Sequence, residues 1–488
     1  MATDTMTAHG TSKLAERAIA FVKRRKEHSV RRRTANAAHK SNPNAEQHRL
    51  AGKQRVLAAT AGGAPKIIRI PITNVYDLSD YSAALSIGSG NAVANVILDT
   101  GSSTLAVEPS AYEGSGDTDR KSTAYAQLVQ YGTGGWAGPV VTTNVTIGGP
   151  GKNVTLNDCY TAITEVQEPG NFEGLTGILG LAYNGMNTAF DFGNYFTQHR
   201  KPATTYPWPF GGGSWNTFLE RFKTLLGSNP IPQPSLVPYF DQLESSGVVA
   251  NKFAFYTLRS FVSYRAGTDQ AATAADPLNN GIFVLGGGEE QTDLYNGNFV
   301  IVDVLHDLYY NTNLKSVRVD GCPAVAAAPL QPQYVQDAIS NSIVDSGTSD
   351  LTLAQDVYDA ILAGLKQRDP AFSQAVQASL AAAEQNQGVP AASLNLANWP
   401  NIYFTLAGEN GEDIELTCAP QTYWQVDFPA AGQAMFQISG PLQTTQNPVP
   451  NQSILGLPLL NNYYAVFDRS EDTQGVIRFA PIKPPPGV

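Results

Sequence analysis

Two short stretches of this chain hold residues that could do chemistry, and they are copies of one another. Ile97-Leu98-Asp99-Thr100-Gly101-Ser102-Ser103 and Ile343-Val344-Asp345-Ser346-Gly347-Thr348-Ser349 each carry an apolar run into an acid, a small hydroxyl residue, a glycine and two further hydroxyls. An acid so placed ends a buried strand, where the glycine lets the backbone turn tightly. Each hydroxyl can donate to an ionised carboxylate, so Thr100, Ser102, Ser346 and Thr348 are expected to support the acids. A single such turn would ordinarily be a solvated aspartate. Here a second echo follows each copy, Gly177-Ile178-Leu179-Gly180-Leu181 and Ser453-Ile454-Leu455-Gly456-Leu457. An internal repeat of this kind implies two similar lobes, each contributing one acid to a site between them. Two carboxylates within hydrogen-bonding distance cannot both ionise cheaply. They share a proton, so one acts as base and the other as acid toward a bound water and a peptide carbonyl.

Other catalytic chemistries lack their parts. Four of the six histidines (His9, His28, His39, His48) lie in an N-terminal basic arm, and His199 and His306 have no Cys or His neighbour at metal spacing, so no metal site is expected. Neither G-x-S-x-G nor H-E-x-x-H occurs. The glycines Gly132, Gly134 and Gly138 imitate a nucleotide loop, but no helical pattern follows to receive a phosphate. No cofactor is expected.

The elements that must position the two acids read as short strands at regular spacing. They are Lys66–Ile72, Tyr81–Ile87, Ala94–Leu98, Ala124–Tyr131 and Val140–Ile147, separated by Gly, Asn and Pro turns. Residues 131–136 read as a hairpin tip, and 187–234, rich in aromatics, Pro and Gly, as an irregular insertion. A short amphipathic helix is expected over Leu236–Glu244, a strand over Lys252–Leu258, a helix over Leu353–Lys366 and a last strand at Tyr463–Arg469. The expected architecture is all-β with few short helices. Its parts are a basic arm over 1–65, one lobe over 66–258, a second over 259–482 and a Pro-rich tail over 483–488.

Composition fits that reading. The 488 residues are 42% hydrophobic and only 15% charged, with no apolar run long enough to span a membrane as a helix. The net charge of −10 hides an asymmetry: residues 1–55 hold 13 basic and 4 acidic residues, a net of +9, and the remaining 19 basic and 38 acidic residues carry −19. A basic arm before an acidic body invites attraction between the two. The arm lacks interleaved aromatics, so no nucleic-acid partner is expected. Its one helical pattern (Leu14, Ala18, Phe21, Val22, with Ser12 as cap) leaves its role open between a prosegment and a disordered tail. Three widely spaced cysteines, Cys159, Cys322 and Cys418, exclude a disulfide framework and favour free thiols. With no secretory signal in the sequence, a cytoplasmic location is expected, with Asn144, Asn153 and Asn451 opening N-x-[ST] triplets by chance.

The motifs in combination resemble the pepsin family of aspartic proteases. The resemblance runs from about Ile67 to Pro481 and rests on VILDTGSS, YGTG, GILGLAY, SIVDSGTS and SILGLPLLNNYYAVFDR, in that order. It implies a bilobal β fold with Asp99 and Asp345 as the catalytic pair and Ser102 and Thr348 bonded to their outer oxygens. By the same resemblance Tyr131, Gly132 and Thr133 belong to a flap over the substrate, and Gly101 and Gly347 bind substrate backbone. Ile97 and Ile178 would form the apolar wall beside the scissile bond. It also implies a peptide or protein substrate, hydrophobic preference around the scissile bond, an acidic optimum, inhibition by pepstatin and a monomer. The chain departs from most pepsins in having Leu105-Ala106-Val107 where Leu-Trp-Val is usual. A tryptophan stands on the flap instead, at Trp136, as a flap support. With Asn171-Phe172-Glu173-Gly174, these features are most similar to the memapsin (β-secretase) branch, whose membrane anchor and paired cysteines are missing here. The competing class is a binding or inhibitor protein on the same fold that has lost catalysis, as in plant xylanase inhibitors. Neither acid nor the flap tyrosine is lost.

Overall fold

The chain alternates side chains along most of its strands, and the alternation decides which face is buried. In Ile68–Thr73 the isoleucines at 68, 70 and 72 are buried while Arg69 and Pro71 face outward, as a strand with one covered face requires. The computed structural model describes residues 65–485 apart from 76–79, 132–133, 169–171, 173, 263–269, 307, 442–450 and 471–473. The arm's helical pattern therefore lies outside the described residues, as do Gly132 and Thr133.

Strands dominate. Antiparallel neighbours run in order across one sheet: Ile68–Thr73, Asn280–Leu285, Lys252–Tyr256, Tyr463–Asp468, Val476–Pro481 and Val300–Asp303. These six strands form a plate shared by both halves of the chain. Its buried face is aromatic: Phe253 stacks on Phe467 at 5.1 Å, and Phe283 and Tyr310 close around it. The same sheet continues from Ile68–Thr73 through Ser82–Ile87 and Ala92–Asp99 into the first lobe. The second lobe adds smaller sheets of five, four and three strands.

The two loops that carry Asp99 and Asp345 have one topology. Ala92–Asp99 runs parallel to Gly177–Gly180, which Leu105–Val107 flanks antiparallel on the other side. Ser342–Val344 runs parallel to Ser453–Leu455, flanked antiparallel by Leu351–Thr352. The glycine of each Ile-Leu-Gly echo is dictated by this crossing. A Cβ on Gly180 would stand 2.4 Å from Ser103 N, and one on Gly456 2.1 Å from Thr348 O.

Polar joints fix the lobes. Arg469, nearly buried, pairs with Asp241 at 2.5 Å and lies 4.1 Å over the Tyr183 ring, whose hydroxyl donates to Gln474 O. In the first lobe Asp117 gathers donors from the Ser89 amide, Thr143 Oγ1, Tyr112 Oη and the Asp119 amide. Burial pushes its pKa up, but these donors together outweigh that and hold the carboxyl well below the usual range.

Several boundaries differ from those expected. The helix expected from Leu236 starts at Tyr239 and runs to Ser245, because Pro238 occupies its cap. The helix expected over Leu353–Lys366 spans Gln355–Arg368 and is followed by another, Pro370–Glu384, whose cap Asp369 accepts from the Ala371 amide. The stretch read as irregular contains helices Gly193–Gln198 and Trp215–Ser228. Helices Trp215–Ser228 and Pro370–Glu384 thus add to the one expected near Leu353–Lys366, in a fold that remains mostly strand. Among the described residues no helix is long and apolar enough to cross a membrane.

Candidate active site

Asp99 ends its strand and Asp345 directly follows its own, both fully buried, at 0% and 1% exposure. A charged carboxylate so placed needs hydrogen bonds to replace water. Each receives the same pair of donors. Gly101 N donates to Asp99 Oδ1 at 2.8 Å and Ser102 Oγ to Oδ2 at 2.6 Å. Gly347 N donates to Asp345 Oδ1 at 2.9 Å and Thr348 Oγ1 to Oδ2 at 2.7 Å. The acids converge: a Cβ on Gly101 would lie 2.6 Å from Asp345 Oδ2 and 2.7 Å from Oδ1. Glycine is required there because any side chain would occupy the second acid's place.

Thr100 and Ser346 use their hydroxyls differently from the expectation that each serves its own acid. Thr100 Oγ1 donates to Val344 O at 3.2 Å and accepts from Ser346 N at 2.8 Å. Ser346 Oγ donates to Leu98 O at 2.8 Å and accepts from Thr100 N at 3.1 Å. Each hydroxyl therefore grips the backbone of the opposite loop, immediately before the opposite acid. The support they give the pair runs through the loops rather than directly to a carboxylate.

The apolar surroundings also repeat. Ile97 and Ile178 belong to a cluster with Ala106, Trp136, Val140, Ala162, Phe172 and Leu175. Trp136 is fully buried in the same cluster as the small, equally buried Ala106. The indole's relation to the Tyr131 ring lies outside the described residues. Across the site Ile343 and Ile454 pack with Leu308, Tyr309, Met186 and Ile339. These residues were not singled out from the sequence, although Ile343 and Ile454 stand in the repeat where Ile97 and Ile178 stand in the first copy.

Two polar contacts had no local signal. Gln127 Nε2, on strand Lys121–Tyr131, and Thr104 Oγ1, beside the Asp99 loop, both donate to Asn187 Oδ1, at 2.8 and 3.0 Å. All three are buried, so the network ties this hairpin strand to the Asp99 loop. Ser349 Oγ donates to the buried Asp80 at 2.9 Å, binding the second motif to the first lobe. The three cysteines are unpaired, and burial raises the Cys159 and Cys418 thiols, the latter to about 12. Among the described residues no group of three or more His, Cys, Asp or Glu could hold a metal.

Two lobes of one design, each bringing a buried aspartate against the other's loop, define a bilobal, pepsin-like all-β protein of the aspartic peptidase class. The chain belongs to the eukaryotic aspartyl protease family, whose model matches residues 80–199 and 236–481. It is similar to cathepsin E of Aquarana catesbeiana, with 25% identity over 88% of this chain and 86% of that one. It is also similar to pepsin A of Sus scrofa, at 23% identity over 83% of each chain. Beta-secretase of Strongylocentrotus purpuratus shares 23% identity over 82% of this chain and 66% of its own. Membership implies peptide or protein substrates.

Proposed function

We propose that this protein is an active aspartic endopeptidase in which Asp99 and Asp345 hold one proton between them. The ionised acid takes a proton from a water lodged between the pair, and that water attacks the peptide carbonyl. The protonated acid donates to the carbonyl oxygen, and the resulting diol collapses as a proton passes to the departing amine. No covalent enzyme intermediate forms. The observation that carries this reading is the matched donor set on two converging buried carboxylates. Such donors pre-organise the acids so that little rearrangement accompanies proton transfer.

In this reading Gly101, Gly347 and Thr348 meet substrate backbone, and Tyr131, Gly132 and Thr133 close over it. Ile97 and Ile178 line one side of the scissile bond and Ile343 and Ile454 the other, favouring apolar side chains there. An acidic optimum follows from the need for one proton on the pair. The test is a peptidase assay on purified protein between about pH 3 and 7, with and without pepstatin, a range that spans ordinary carboxylate titration. Asp99→Asn and Asp345→Asn are each expected to abolish turnover in a folded protein, and the double variant to be no worse than either, because the acids act as a unit. Substantial turnover by either single variant would sink the assignment.

A further inference from the structure

The family's model passes over residues 200–235, and the structure shows where that extra segment goes. It leaves and rejoins the lobe against the flap hairpin. Phe190 and Asp191 pair with Ala126 and Tyr125 of the outgoing flap strand, and Asp191 N and Ala189 N donate to Pro232 O and Pro234 O on the returning side. Thr205 donates through its amide to Thr123 O and through Oγ1 to Tyr125 O. Helix Trp215–Ser228 then lays Trp215, Phe218, Leu219 and Phe222, one face at helical spacing, into a cluster with Ala126 and Ala137 of the hairpin.

The hairpin strands carry period-two side chains, and both faces are covered. Gln127, Val129 and Trp136 face the catalytic loop, while Ala126, Leu128 and Ala137 face the extra segment. The outer face is built small at its closest approach: a Cβ on Gly135 would lie 2.5 Å from Trp215 Cζ2 and 3.0 Å from Cη2. The indole edge therefore rests directly on flap backbone next to Trp136. At its edge the returning strand also pairs with the two-residue strand Val166–Gln167, through Trp136 and Ala137, and so narrow a ribbon is marginally stable in water without packing on its faces. This one is the middle layer of three.

We propose that residues 200–235 form a buttress that sets the height of the flap over the catalytic aspartates, with Trp215 as its positioning residue. The buttress keeps the hairpin in its substrate-binding position, so an extended peptide binds without first ordering it. The apparent dissociation constant is the intrinsic one divided by the fraction of protein in the competent position. Loosening the hairpin therefore raises KM and leaves turnover of the saturated enzyme nearly unchanged.

The inference rests on the peptidase reading for its kinetic arm only. The experiment compares Trp215→Ala, Trp215→Phe and Phe222→Ala in the full chain. Phe222 is a control from the same helix, its ring packed among Phe190, Phe192, Trp208, Phe210 and Phe218. If Trp215→Ala lowers the competent fraction to about one fifth, KM for a fluorogenic extended peptide rises about fivefold with kcat within about twofold. Amide exchange at Leu128, Val129 and Trp136, measured without substrate, should quicken by about tenfold. Trp215→Phe should recover part of both, and Phe222→Ala should lower thermal stability while moving KM and flap exchange much less than Trp215→Ala does. Parent KM and parent flap exchange in Trp215→Ala, or equal changes in Phe222→Ala, would overturn the proposal. If Trp215→Ala does not fold, Trp215→Phe decides on the same readouts at smaller amplitude. If the parent shows no peptidase activity, the exchange measurement alone decides the buttress, and the proposed function fails separately.

Discussion

Replacing Thr100 by Val tests whether the crossed hydroxyls hold the two loops. The change keeps the side chain's shape and removes one buried oxygen that serves two bonds, to Val344 O at 3.2 Å and from Ser346 N at 2.8 Å. Two net hydrogen bonds are worth about 0.5–1.5 kcal/mol each, and an orphaned buried amide costs about 1–3 kcal/mol more, giving a loss of roughly 2–6 kcal/mol. That is a large share of the roughly 5–15 kcal/mol by which a domain is stable. Ser346→Ala removes the mirror-image bonds, to Leu98 O and from Thr100 N, and should cost a similar amount. The two losses should not add. Once one hydroxyl is gone the loops part, so the second has less to hold, and a double-mutant cycle should show coupling of about 1 kcal/mol. Denaturant titration measures this as a shift in midpoint without a change in slope. Turnover should fall about ten- to a hundredfold in each single variant, because the loops carry the reacting carboxylates and small displacements of such groups are costly. Additive stability effects below about 0.5 kcal/mol each, together with parent turnover, would refute the reasoning, since that is the ordinary scatter of uninvolved surface positions.

Three further expectations can be checked directly. We expect Trp136→Phe to slow turnover, because the indole N–H would brace the flap tyrosine in place of the tryptophan absent at Ala106; full activity in that variant, with a structure placing the nitrogen far from Tyr131 Oη, counts against it. Asp117, held ionised by its donors, has a folded pKa below its unfolded value, so its stabilisation is fully present above the unfolded value and is lost as pH falls through the folded one. Asp117→Asn should therefore cost stability at neutral pH and flatten the acid limb of the stability–pH curve, and an unchanged limb in denaturant titrations would exclude the role. If the basic arm covers the acidic cleft, a chain starting near Ala64 should cleave peptide faster than the full chain at about pH 6, and the gap should close below about pH 4 as carboxylates protonate. Equal rates across that range would remove any inhibitory role.

What the sequence determined by itself is the pair of acids and the two-lobe plan, because the repeat writes the same local design twice. Each motif carries its own turn glycine, its own donors and its own apolar strand, so its folding is decided within a few residues. Ile343 and Ile454 were legible by the same symmetry, as counterparts of Ile97 and Ile178. Helix Trp215–Ser228 was written as Trp215, Phe218, Leu219 and Phe222 at helical spacing, yet the Pro- and Gly-rich flanks hid it. Only the tertiary structure decided that Thr100 and Ser346 reach across to each other's loop, a pairing 246 residues apart along the chain. Only packing decided that the extra segment lies on the flap, because the small outer residues Ala126, Gly135 and Ala137 acquire meaning once Trp215 rests against them. A hydroxyl's partner and a glycine's neighbour are properties of space, and a local pattern carries neither.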